Sequence, residues 1–116
     1  MPNRKAEPVD KSFIEAPPNV VSENGLRRDI GLGWDVEVVA RQDAEKRSYN
    51  WYGEWTIRCI SPDGKQEKHL ITARNDLEFR VFKTANAVIS FLHDLGFSRA
   101  TLPLREGGRC RQGVQE

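Results

Sequence analysis

Residues 51–74 read WYGEWTIRCISPDGKQEKHLITAR, and this stretch decides the fold. Two runs of strand-type residues flank Ser61-Pro62-Asp63-Gly64. Proline at the second turn position and glycine at the fourth suit a type I turn followed by a left-handed residue. Pairing Ser61 with Lys65 sets Cys59 opposite Glu67, Ile57 opposite His69, Trp55 opposite Ile71 and Gly53 opposite Ala73. That register makes one mostly apolar face. The other face carries Tyr52, Glu54, Thr56 and Arg58, with Lys68, Leu70, Thr72 and Arg74 on the second strand. A slip of one residue would exchange the faces, so every assignment here hangs on the register.

Upstream of this hairpin, Trp34, Val36, Val38 and Ala40 alternate with Asp35, Glu37, Val39 and Arg41, which predicts a strand. Residues 42–50 are polar and read as a charged connecting loop. Downstream, Asn75-Asp76 marks a turn, and Leu77, Phe79 and Val81 alternate as a further short strand. Thr84 is a good helix N-cap. Ala85, Val88, Ile89, Leu92 and Leu95 then recur at helical spacing. Gly96 suits the left-handed position past the helix end, with Phe97 closing on Leu92. The spacing predicts a helix over 84–95. Ala100, Leu102 and Leu104 alternate again, and Pro103 lacks an amide proton, so 98–104 is expected as an edge strand.

The ends read differently. Pro2, Pro8, Pro17 and Pro18 interrupt residues 1–33, whose charges cancel (Arg4, Lys5, Lys11, Arg27 and Arg28 against Glu7, Asp10, Glu15, Glu23 and Asp29). Such a stretch buries too little apolar surface to offset its ordering entropy. Residues 1–33 are therefore expected as a flexible arm and 105–116, with paired Gly107-Gly108, as a disordered tail. Between them, 34–104 forms a single α+β domain. Its expected architecture is a small antiparallel sheet in the order β-β-β-(β)-α-β, with one helix packed on one face.

Composition narrows the function classes without choosing one. The chain has 116 residues, with 18 basic and 17 acidic side chains, so it lacks the basic excess of a general duplex binder. Its opening residues contain no apolar core of a signal peptide, and no apolar run reaches the ~18 residues that a span requires. No membrane partner and a cytoplasmic location are expected. Cys59 and Cys110 form no CxxC pair, which suits neither a disulfide framework nor a zinc site.

Catalytic and cofactor chemistry finds little support in the sequence. His69 falls on a strand, and His93 falls off the apolar stripe of the helix. Cys59 alternates with Ile57 as a small buried residue. Cys110 stands between two arginines, whose charge would lower its pKa, but in a loose tail. Gly31-Leu32-Gly33 begins a phosphate-loop pattern, yet Val36 stands at the third glycine position and a strand follows. No enzyme activity, metal or cofactor is expected.

A binding face remains. Tyr49, Trp51, Tyr52 and Trp55 fall close together, and Trp51 and Tyr52 must point to opposite sides of a strand. The expected solvent face gathers Tyr52, Arg58, Lys68 and Arg74, with Arg58 directly opposite Lys68. A like-charge pair in a sheet is mildly destabilising unless an anion relieves it. With Arg105, Arg109 and Arg111 from the tail, these residues form the expected site for single-stranded or duplex nucleic acid. The alternative is an adaptor or homodimer that pairs with another protein, or with itself, through the 98–104 edge.

Overall fold

Side chains of the strand through Trp55 alternate cleanly. Trp55, Ile57 and Cys59 are fully buried on one side, while Tyr52, Glu54, Thr56 and Arg58 occupy the other. The computed structural model describes residues 19–73 and 78–112. It is an α+β fold in which two helices cover one side of a mixed six-stranded sheet. In chain order the elements are β1 (Val20–Val21), α1 (Glu23–Gly31), β2 (Asp35–Arg47), β3 (Asn50–Ile60), β4 (Glu67–Leu70), β5 (Phe82–Thr84), α2 (Ala85–Asp94) and β6 (Arg109–Arg111). Strand order across the sheet is β1-β4-β3-β2-β6. β5 shares with β4 the same edge of β3, and β1 runs parallel to β4.

Helix α2 begins where the sequence places it. Thr84 caps it by accepting from the Ala87 amide, and the chain leaves it through Gly96 at φ 103°. The Phe97 amide donates to Leu92 O and the Gly96 amide to His93 O, the bonding of a Schellman end. Its buried stripe is Val88, Phe91 and Leu92, which leaves Ile89 exposed.

The hairpin register differs from the sequence expectation by one residue. Arg58 pairs with His69, Cys59 with Lys68 and Ile60 with Glu67. The cause is the turn: Asp63 Oδ1 accepts from Ser61 Oγ and from the Lys65 amide, and Ser61 pairs with Gln66. Pro62 to Lys65 thus form a four-residue loop. In consequence Leu70 enters the core, Lys68 moves to the helix side, and Arg58 has no lysine opposite it.

Other expectations are corrected as well. Residues 42–50 are not a loop: β2 runs to Arg47, pairs with Asn50, and turns through Ser48 (φ 58°) and Tyr49. Polar side chains hid this pairing. Residues 19–33 are not an open arm: Ser22 caps α1, which buries Leu26 and Asp29 against the sheet. The segment 98–104 forms no strand, because its polar groups bond elsewhere. Trp55 Nε1 donates to Pro103 O at 2.8 Å, and Leu104 O accepts from Ala44 N. The edge is instead β6, in the stretch expected as a disordered tail, where Arg109, Cys110 and Arg111 pair with Val39, Val38 and Glu37. The sheet is mixed rather than antiparallel, and two helices rather than one cover it.

Gly53 has a packing reason to be glycine. A Cβ there would stand 2.8 Å from the Trp55 ring, which folds back beneath it on the core side. That indole then ties the segment before β6 to the sheet.

Candidate functional site

The sheet side away from the helices carries a row across four strands: His69 on β4, Arg58 on β3, Glu37 on β2 and Arg111 on β6. Period-two alternation puts them on one face, and the pairing aligns them. Arg58 Nε lies 2.6 Å from Glu37 Oε1, and its Nη1 bonds Glu67. Arg111 reaches Asp35 at 2.6 Å and Glu37 at 3.6 Å. The row is therefore an alternation of charge, with each arginine between two carboxylates. Arg58 and Glu37 are both buried.

His69 closes the row. Its ring stacks on Phe79 at 4.5 Å between centroids, nearly parallel, and Nε2 is 3.9 Å from Glu67. Nδ1 is buried with no hydrogen-bond partner. Burial, then the charges of Arg58 and Arg41, lower its pKa below the ordinary histidine value, against an opposing pull from Glu67. Its neighbours thus favour the neutral ring.

On the helix side, Lys68 Nζ sits 3.0 Å from the buried Asp29 Oδ2 and 4.6 Å above the Trp34 ring. Cys59 Sγ is 3.8 Å from the same carboxylate oxygen. Burial and the adjacent carboxylate push the Cys59 thiol up to about 11, so it holds its proton at neutral pH. The Cys110 thiol is also raised, by burial and by Glu37, rather than lowered by its arginine neighbours. Asp29, the residue that organises this cluster, was hidden within the supposed arm. The signal that could have found its helix was Ser22 as N-cap, followed by Leu26 and Ile30 at helical spacing.

Of the residues expected to form one basic face, Arg58, Arg109 and Arg111 share the side away from the helices, and Lys68 does not. Arg58 is enclosed by Glu37 and Glu67, Lys68 is on the other side with Asp29, and Arg111 is paired with Asp35 and Glu37. Arg74 lies outside the described residues. Arg105 and Arg109 are exposed, and Arg109 is on the same face as Val39. Tyr52 is half-buried beneath the Arg47 guanidinium, 5.0 Å from its ring centroid.

The described residues expose aromatic surface at the far end of the β2–β3 hairpin. β5 reaches β3 only as far as Tyr52, and the segment before β6 bonds β2 only as far as Ala44. Beyond those points, Glu45 to Trp51 form a two-stranded ribbon with no neighbouring strand among the described residues. Tyr49 at its turn is 94% exposed and Trp51 43%. Two ion pairs lie along it: Arg47 bonds Glu45 at 3.0 Å, and Glu54 at its base bonds Lys83 at 2.8 Å. Among the described residues no three of histidine, cysteine, aspartate and glutamate group as ligands for a metal ion. None of the described helices is long and apolar enough to cross a membrane. Comparison with protein-family models, with curated proteins and with solved structures returns no match.

Proposed function

We propose that this chain is a non-enzymatic binding module whose partner is a protein, engaged by the tip of the β2–β3 hairpin. The observation that carries this reading is the exposed pair Tyr49 and Trp51 on a ribbon that no other strand among the described residues supports. Large aromatics at the end of a short rigid hairpin supply apolar contact area at low entropic cost. Neither side chain belongs to the core cluster, so folding gives no reason for them. The partner is a protein surface with an apolar pocket sized for an indole or phenol ring.

Nucleic acid fits less well. Phosphate contact needs cations that are free to meet it. Arg58, Lys68, Arg111, Arg47 and Lys83 each have a carboxylate within 3.0 Å. Amide NMR spectra recorded while adding a mixed single-stranded oligonucleotide, then a duplex, at low salt test this choice. The protein-binding reading predicts no salt-sensitive shifts in the hairpin. Salt-sensitive shifts spreading from Trp51 to Arg109 would replace it with a nucleic-acid module.

A further inference from the structure

Lys46 is the cross-strand partner of Trp51. Residues directly opposite each other in an antiparallel pair send their side chains out on one side, with Cβ atoms ~5 Å apart. Trp51 alternates with Gly53 and Trp55, so this is the helix side of β3. Glu45 and Arg47 flank Lys46 and leave β2 on the other side, where Glu45 is opposite Tyr52 and the Arg47 guanidinium covers its ring. Those two residues pair with each other at 3.0 Å. Asp43, three residues before Lys46, accepts from the Glu106 amide. At the base of the ribbon the charges of the exposed Arg105 and Glu106 cancel. Lys46 is itself exposed and, among the described residues, makes no ion pair, side-chain hydrogen bond or ring contact. The ribbon thus carries an unmatched cation beside its exposed indole.

We propose that the partner's pocket for Trp51 is bordered by an aspartate or glutamate carboxylate, which pairs with Lys46. The inference rests on the protein-binding reading above and adds the partner's charge to it. Seating the indole strips water from the neighbouring ammonium, and a charge that loses water needs a counter-charge in return. A pocket bordered by lysine or arginine would set like charges together in a water-poor contact, which rejects that partner. A single carboxylate is enough, because Glu45 already answers Arg47. The division of labour follows from the chemistry. Tyr49 and Trp51 supply apolar contact, while Lys46 speeds encounter and selects among pockets of similar shape.

The test captures the partner in the cells that make this chain, with a photoreactive phenylalanine analogue at Tyr49. Lys46→Arg and Lys46→Glu are compared with the parent chain at equal expression. Lys46→Arg should keep the adduct. Lys46→Glu should lower its yield about tenfold or more, equivalent to at least ~1.4 kcal/mol. Zero-length carbodiimide coupling of the captured complex should join Lys46 Nζ to an aspartate or glutamate side chain of the captured protein, located by peptide mass. That arm uses the unaltered Lys46, so it does not depend on the folding of any variant. An adduct that forms equally with Lys46→Glu, or a coupled complex in which Lys46 stays unlinked, would overturn the carboxylate and leave the hairpin reading standing. No adduct from position 49 would overturn both.

Discussion

Arg58 and Glu37 face each other across β3 and β2, with Nε 2.6 Å from Oε1 and both side chains only 10% exposed. The like-charge pair that the sequence suggested for Arg58 is in fact an ion pair. The consequence is that Arg58 stabilises the sheet and presents little charge to a ligand.

Removing one member of a buried pair costs about 3–5 kcal/mol, and without Arg58 the buried Glu37 keeps only its 3.6 Å contact with Arg111. Arg58→Met should lose that much in urea unfolding, and Glu37→Met in the same background should recover most of it. A loss under about 1 kcal/mol for Arg58→Met would show that the pair behaves as a surface ion pair.

Acid should weaken the fold through His69. Burial and the neighbouring Arg58 depress its pKa in the folded state. An unfolded histidine binds its proton near pH 6.5, so below about that value the unfolded chain carries the extra proton. Stability is complete above this point and is lost as pH falls from it toward the folded pKa. Urea midpoints at pH 7.5 and 5.5 should differ for the wild type and nearly coincide for His69→Phe. Equal midpoints for the wild type would contradict the account.

Cys59 should resist alkylation. Its thiol is fully buried, and burial and the Asp29 carboxylate push its pKa up to about 11. Only the thiolate attacks, so iodoacetamide at pH 8 should leave Cys59 unmodified in the native protein and label it in urea. Rapid native labelling of Cys59, located by peptide mass, would count against the buried Asp29–Lys68–Cys59 cluster.

Ser48 holds φ 58° to close the β2–β3 turn. A side chain in the left-handed region costs about 1–2 kcal/mol, and glycine avoids it at some loss of chain entropy. Ser48→Gly should raise stability by up to about 1 kcal/mol in thermal unfolding. A lowered midpoint would show that the turn has a different geometry.

What the sequence disclosed was local. Thr84, Gly96 and Phe97 announce both ends of α2, and the alternation around Trp55 announces β3. The β3–β4 register was illegible because Glu67, Lys68 and His69 show no apolar alternation, and Asp63 lengthens the turn through side-chain bonds. β6 was illegible for another reason: Arg109-Cys110-Arg111 pairs because Asp35 and Glu37, far away in sequence, meet Arg111. Its neighbour Gln112 adds a lock, with its side chain bonding Thr101 N and Cys110 O. Of the expected site, Tyr49 and Trp51 were visible as surplus aromatics. Charge pairing on both sides of the sheet was not, because it depends on register.

The central claim is that the hairpin tip meets a protein. A photoreactive phenylalanine analogue placed at Tyr49, in the cells that make this chain, tests it most directly. The control places the analogue at Ile89, on the exposed side of α2. The account predicts one discrete adduct from position 49 that protease degrades and nuclease leaves intact. Trp51→Ala should abolish that adduct while changing stability by less than about 0.5 kcal/mol. A nuclease-sensitive adduct, or equal adducts from positions 49 and 89, would contradict it.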